Sequence, residues 1–440
     1  MKNKMFNKIK FDNLKKINSK INLISKHNIK IENIEDRKES LNILKSFLKK
    51  HKKNLTKLIN LEAHKTINES ENEFDYALEF VNYSISTISD YKFEKKSSKS
   101  RKILYKSSGS VFAITPYNDP LAGMMRKIAP SIAAGSTIIM KTSFNCIYLC
   151  KYIDKHLPTK LKKIIQFVFI KSRKLIEKIV QNKQIKLITF TGSTEVGLKL
   201  NDIKTKHLQK KILELGGINY AAIFDDKNLS NVIDEIITRK IKAAGQACSS
   251  INKLFVSNKI RKKFEKIVKE KVSMITCGSV RKKSEPDFGP VISNSHYNFL
   301  KKLQKKSLKK GYLICKSNSR NDAKNLFPLN LIKTSFNDEI FDNFETFGPL
   351  LGVSYFNENI KVLKKISKSD YSLVCYLFTK NQKIIDASKN LNLGSIGINT
   401  TKIQSPGSPT GGNNLSGIGR EGGIWGFEEF LTTVNYVIKT

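Results

Sequence analysis

The feature that most constrains this chain is an alternation that begins at Ser110. Short apolar runs closing on a turn or polar signal, "SVFAITPYNDP" (110–120), "STIIMKTS" (136–143), "KIIQFVFI" (163–170) and "IKLITFTGS" (185–193), alternate with stretches of helical spacing. Strands apolar on both faces that alternate with helices predict an open, mostly parallel α/β sheet, because parallel strands are buried on both sides and need a crossover to return. The ligand crevice of such a sheet lies at the carboxyl ends of its strands, so polar residues just past these runs are site candidates. A second series predicts a second α/β unit: "KLFVSN" (253–258), the helical "KIRKKFEKIVKEKVSMI" (259–275), "LLGVSYF" (350–356) and "SLVCYLFT" (372–379). A Gly-rich loop, "SPGSPTGGNNLSGIGREGGIWGFEEFL" (405–431), then runs into a helix starting near Trp425.

Residues 1 to about 90 show helical spacing in which Leu41, Leu44, Leu48 and Leu55 share a face, which predicts a helical layer covering something else. The segment 91–107, "YKFEKKSSKSRKILYKS", reads as a solvated loop or an exposed hairpin. No window approaches the ~18 uninterrupted apolar residues of a membrane span. The N-terminal "MKNKMFNKIKFDNLKKINSKINLISK" lacks the apolar core of a secretory signal, so a cytoplasmic location is expected.

The formal charge of +41, from 79 Lys+Arg against 38 Asp+Glu, raises the question of a nucleic-acid or membrane partner. The basic residues are mostly lysine and run along the whole chain, and no basic stripe is interleaved with aromatics as single-strand binders require. Compositional drift explains the charge better than a binding face, so neither nucleic acid nor membrane is expected as a partner. Six cysteines (Cys146, Cys150, Cys248, Cys277, Cys315, Cys375) are too sparse for a disulfide scaffold. The CxxxC of Cys146 and Cys150 has neither a second pair nor a neighbouring histidine to complete a zinc site, and no metal is expected.

One cysteine has different company. Cys248 lies in "GQACSS" (245–250). By residue type alone a buried, inert thiol is the plainer reading. However, "ITPYNDPL" (114–121), "KTS" (141–143), "FTGSTEVG" (190–197), "LELGG" (213–217), "ETFGP" (345–349) and "SGIGREGG" (416–423) accompany it in order. Together, over roughly residues 40–440, these segments resemble the aldehyde dehydrogenase superfamily. The resemblance implies an α/β, aldehyde-dehydrogenase-like fold. Its dinucleotide-binding, Rossmann-like domain would span 1–90 and 108–216, and its catalytic domain 217–415. A small β oligomerisation extension would be formed by 91–107 and 430–440, through which members assemble as homodimers or homotetramers.

The chemistry implied is attack of the Cys248 thiolate on an aldehyde, giving a thiohemiacetal that loses hydride to NAD or NADP and leaves a thioester. Asn118, a good turn former before Asp-Pro, would supply a side-chain amide to the oxyanion. Glu214, between Leu213 and Leu215 on a strand, would be the base for the deacylating water, and burial would raise its pKa. Branches that pass the acyl group to coenzyme A generally lack this glutamate. The cofactor is expected to meet Thr115, Pro116, Lys141, Ser143, Thr191, Gly192, Ser193, Gly216, Glu345 and Phe347, with the pyrophosphate at the helix opened by "FTGSTEVG". Thr191, Ser193 and Thr194 serve equally as plain helix caps, and Glu345 as a solvated loop residue.

The chain departs from the family in two places. Phe144 stands where the family carries the glutamate that grips the adenosine ribose, so NAD versus NADP stays open. The N-terminus is short, so a trimmed outer layer or assembly element is expected. Asp119 and Arg126 fall where the family lines its substrate entrance. Arginine occurs only nine times here, and Arg126 suits an anionic semialdehyde such as succinate semialdehyde, or a hydroxyaldehyde. A surface pair with Lys127 is the plain alternative. The rival readings are a coenzyme-A-acylating dehydrogenase and an inactive basic binding protein on the same fold.

Overall fold

The computed structural model describes residues 10–28, 33–226, 228–281 and 285–439; the first nine residues, part of the lysine-rich N-terminal stretch read above, lie outside the described residues. Five parallel strands form the first sheet in the order Lys210–Glu214, Ile185–Thr191, Ser110–Thr115, Ile138–Thr142, Ile165–Phe167. The short Gly417–Ile418 adds antiparallel at the Lys210–Glu214 edge. All of the apolar runs read from the sequence between 110 and 193 are therefore strands of one sheet. Ser110–Thr115 comes first in the chain, and its successors build outward on one side and then on the other. The strand order thus reverses at its carboxyl end, next to Ile185–Thr191. A crevice opens at such a switch point.

Both faces of this sheet are covered. The helices Ile34–Ala63, Ile67–Asp90, Pro120–Ala133 and Ile147–His156 close one face, with Leu41, Leu44, Leu48 and Leu55 buried as their spacing predicts. Each such leucine withdrawn from water contributes about 1.5–3 kcal/mol. On the other face Ile17, Ile21 and Ile24 of the helix Leu14–Asn28 pack with Phe112, Ile114 and Ile139, so an outer layer is present despite the short N-terminus. The helix Ile67–Asp90 begins at a capping box: Thr66 accepts from the Glu69 amide and the Glu69 side chain accepts from the Thr66 amide.

The second sheet has seven strands in the order Tyr312–Lys316, Asn330–Lys333, Leu350–Phe356, Ile251–Ser257, Asn219–Ile223, Val374–Phe378, Ser395–Ile398, parallel except at the Tyr312–Lys316 edge. The segment 91–107 is a hairpin, Glu94–Ser98 with Arg101–Ser107. Leu431–Val437 joins it antiparallel, in register from Arg101 against Val437 to Ser107 against Leu431. Among the described residues no helix is long and apolar enough to cross a membrane.

Candidate active site

Glu214 ends the strand Lys210–Glu214, and its neighbours Leu213 and Leu215 are as buried as it is. Cys248 sits between the tight turn Lys242–Gly245 and the strand Ile251–Ser257, the first strand of the second sheet to follow that turn. Its Sγ–H donates to Glu214 Oε1 at 3.7 Å, so the thiol and the carboxylate singled out by the sequence meet across the two sheets. Burial, then the nearby Glu214 carboxylate, push the Cys248 thiol up. It is a thiol at rest and needs a base to become a nucleophile. Glu214 can be that base, since burial and then the charge of Glu421 bring its carboxyl up to about 7, against the pull of Arg126 and Lys127.

The cysteine loop is held firmly. Asn219 Nδ2 donates to the Cys248 carbonyl at 2.5 Å and to the Ser250 carbonyl at 2.9 Å. Arg239 Nε and Tyr376 OH both donate to the Ser249 carbonyl. Upstream, Ala243 and Ala244 have φ of 50° and 55°. Side chains with a Cβ rarely adopt such angles unless surrounding bonds impose them. Here the Ala243 amide donates to Glu69 Oε1, and Gln246 Nε2 donates to the Ala243 carbonyl.

Asn118 lies in the four-residue connection from the strand Ser110–Thr115 to the helix Pro120–Ala133, at the switch point. It is buried, and its Oδ1 has no hydrogen-bond partner. Its neighbours are both tied down. Tyr117 OH donates to Gln246 Oε1 at 3.1 Å, reaching the cysteine loop, and Asp119 Oδ1 accepts from Lys65 Nζ at 2.6 Å. Glu214 Oε2, Arg126 Nε and Thr115 Oγ1 are further buried polar atoms without partners. Unsatisfied groups of this kind are costly in an ordinary core, and a polar ligand that bonded them would offset that cost.

Arg126 and Lys127 are not a surface pair. The helix Pro120–Ala133 is buried along its whole length, and both side chains turn to Glu421. Arg126 NH1 is 3.7 Å from Glu421 Oε2, and its guanidinium lies 5.2 Å from the Phe80 ring centroid. Lys127 bonds Glu421 Oε1, which also accepts from Thr191 Oγ1 at 3.1 Å. Burial acts to raise the Glu421 carboxyl, but Lys127 and Arg126 outweigh it and hold the group below its ordinary range. Sequence reasoning missed Glu421 and Lys127 as site residues, although "GREGG" and "MMRK" contain them.

Most of the residues expected at a dinucleotide gather at the carboxyl ends of the first sheet's strands, while Glu345 and Phe347 lie in the loop before the strand Leu350–Phe356 of the second sheet. Thr115 ends one strand, with Pro116 after it, and Lys141 and Ser143 stand at the end of the next. Among the described residues Lys141 has no carboxylate within ion-pair distance, and burial lowers its pKa. Ser143 Oγ accepts from the Asn145 amide. Ser193 precedes the helix Thr194–Asn201 without capping it by its side chain, which leaves its hydroxyl and the first-turn amides open to an anion. A Cβ at Gly192 would press on the Phe190 ring at 2.5 Å, and one at Gly216 would come 2.6 Å from Glu345 Oε2. Glu345 Oε1 accepts from the Gly217 amide at 3.3 Å, and burial brings the carboxyl up to about 7. Phe347 has φ 43°, an outlier for an aromatic residue, and stands edge-on to Tyr117 with ring centroids 6.2 Å apart. Phe144 stacks on Phe11, and the Lys171 ammonium lies 4.5 Å from its ring centroid. An open helix N-terminus, an unpaired lysine and the orphaned Thr115 hydroxyl fit a phosphate- and ribose-bearing cofactor.

Comparison with known proteins shows what the chain as a whole is similar to. The chain is 28% identical over 414 residues to the succinate-semialdehyde dehydrogenase [NADP(+)] GabD of Escherichia coli, covering 90% of this chain and 84% of that one. It is 30% identical over 406 residues to the lactaldehyde dehydrogenase of Methanococcus aeolicus, covering 90% and 86%. Among solved structures, it is similar to glyceraldehyde-3-phosphate dehydrogenase GapN from Methanocaldococcus jannaschii complexed with NADP, at a TM-score of 0.89 and 26% identity over 98% of this chain and 96% of that one. The aldehyde dehydrogenase family matches residues 25–436, and the chain belongs to that family.

Proposed function

We propose that this NAD(P)-dependent aldehyde dehydrogenase is of the non-acylating type, turning an aldehyde and water into a carboxylic acid, and that a small anionic semialdehyde is its substrate. The observation that carries the reading is the buried Cys248–Glu214 contact of 3.7 Å. Glu214 takes the thiol proton, and the Cys248 thiolate attacks the carbonyl carbon. Asn118 donates its side-chain N–H to the resulting oxyanion beside the Cys248 amide. The nicotinamide, when bound, supplies a hydride acceptor, and Cys248 is left as a thioester. Glu214, after passing the thiol proton to solvent, takes a proton from water, whose oxygen attacks the thioester; the carboxylic acid departs and Glu214 returns the proton to the sulfur.

Ser193 and the first-turn amides of Thr194–Asn201 would hold the pyrophosphate, with Thr115, Pro116, Thr191, Gly192 and Gly216 shaping the floor of the crevice. Lys141 and Ser143 would meet the adenosine ribose, Glu345 the other ribose, and Phe347 the nicotinamide face. Arg126 faces the aldehyde's distal carboxylate, in keeping with relatives named for succinate semialdehyde. The division into a dinucleotide domain at 1–90 and 108–216, a catalytic domain at 217–415 and an assembly extension at 91–107 and 430–440 belongs to the same reading. So do a homodimer or homotetramer and a cytoplasmic location. Exposed Val434, Tyr436 and Val437 on the outer strand of the three-stranded sheet support assembly there, because an unpaired apolar edge is a liability in a monomer.

The deciding experiment is an aldehyde panel followed by absorbance of the reduced cofactor, with NAD and NADP, with and without coenzyme A. Free acid as product in both arms is expected. An acyl-coenzyme A product would overturn the non-acylating reading, and salt-dependent nucleic-acid binding without turnover would favour the inactive binding protein.

A further inference from the structure

We propose that Lys65, with Glu73, is a positioning residue that fixes Asn118 through Asp119; the inference rests on the oxyanion role given to Asn118 above. The connection 116–119 is anchored at one end by the sheet and at the other by the helix Pro120–Ala133. Asp119 occupies the N-cap position of that helix, yet its side chain makes no capping bond. The cap is supplied from another helix. Glu73 Oε1 accepts from the amides of Leu121 at 2.8 Å and Ala122 at 3.2 Å, the second and third helical positions, where a capping side chain normally bonds.

Lys65 frees Asp119 from that task and binds the two carboxylates together. Its Nζ lies 2.7 Å from Glu73 Oε2 and 2.6 Å from Asp119 Oδ1. Lys65 and Glu73 are buried, and the Lys65 carbonyl is itself fixed by Asn60 Nδ2 at 2.8 Å. Asn118 is thus flanked by one residue tied to Lys65 and one, Tyr117, tied to Gln246 beside the cysteine. Glu69, one helical turn before Glu73, accepts from the Ala243 amide at 2.6 Å. One short stretch, Lys65 to Glu73, therefore holds both the oxyanion turn and the root of the cysteine loop. A misplacement of about 1 Å at a reacting centre can cost on the order of 100-fold in rate, so such a clamp has catalytic consequences without touching the substrate.

The test is a double-mutant cycle. Turnover per Cys248 titrated with iodoacetamide is measured for the full chain, Asn118→Ala, Lys65→Met and the double variant, using unlabelled and 1-deuterated aldehyde. Lys65→Met is expected to lower kcat roughly 10- to 100-fold, raise the primary isotope effect and leave KM for the nicotinamide cofactor unchanged. The double variant should be no slower than Asn118→Ala alone, because Lys65 acts through that side chain. Multiplying effects in the double variant, or unchanged turnover per titrated cysteine in Lys65→Met, would overturn the positioning role while leaving the oxyanion role standing. Asn118→Ala that turns over like the unaltered chain would overturn both. If Lys65→Met does not fold, Asp119→Asn, a partly exposed side chain that leaves the Lys65–Glu73 pair intact, carries the same cycle to the same outcomes.

Discussion

Glu421 holds its charge against Lys127 and Arg126, and that charge, after burial itself, pushes the carboxyl of neighbouring Glu214 up to about 7. Two carboxylates in one buried network are thereby driven apart, one kept ionised and one poised to exchange its proton near neutrality, which is how an acid–base role is assigned within a shared site.

The pH dependence follows. Glu214 works as a base only when deprotonated, so kcat should rise with pH through an apparent pKa near 7. Glu421→Gln removes a negative charge that opposes Glu214 ionisation and leaves Lys127 to favour it. The rising limb should therefore move to lower pH, as a kcat–pH profile of the variant against the unaltered chain will register.

Glu214→Gln keeps the shape of the side chain and removes the base. Steady-state turnover should fall about 10²- to 10⁴-fold, because the Cys248 thiol and the deacylating water both lose their proton acceptor, and any acyl group that does form on Cys248 should persist. Intact-protein mass measurement would detect that adduct.

In the proposed role of meeting a distal carboxylate, Arg126 would set selectivity rather than rate. Arg126→Ala should raise KM for succinate semialdehyde about 10- to 100-fold relative to an uncharged aldehyde of the same length, the loss of one charge-assisted contact. Because the guanidinium also steadies Glu421 at 3.7 Å, the measurement is the ratio of the two aldehydes and not either value alone.

Lys171 stands over Phe144, where a carboxylate would repel a 2′-phosphate. NADP should accordingly be used at least as well as NAD. Lys171→Met should raise KM for NADP several-fold and leave KM for NAD nearly unchanged, which initial rates at varied cofactor will show.

Strand positions were readable because each is a short run apolar on both faces, and "LLGVSYF" coincides with the strand Leu350–Phe356. Cys248, Glu214 and Asn118 were singled out by the family resemblance of the segments around them rather than by residue type, and the fold brings the Cys248 thiol to 3.7 Å from Glu214. The charges that serve them were not. Lys127 and Glu421 are 294 positions apart, and Lys65 and Asp119 54 apart. In a chain rich in lysine, no local pattern separates a buried ammonium from a solvated one. The helix Pro120–Ala133 held a usable signal, since two adjacent basic residues in an otherwise apolar helix buried all round must find partners inside.

The small sheet that unites Arg101–Ser107 with Leu431–Val437 also orders events during synthesis. Lys106 and Thr432, which bond across it, are 326 positions apart. At about 5–20 residues per second a ribosome needs some tens of seconds to bridge that interval. Throughout it the hairpin waits with a bare edge, and Lys127 waits beside an empty place for Glu421. A nascent chain therefore carries an unpaired hairpin edge and a buried lysine without its carboxylate until residues 421–437 have been made.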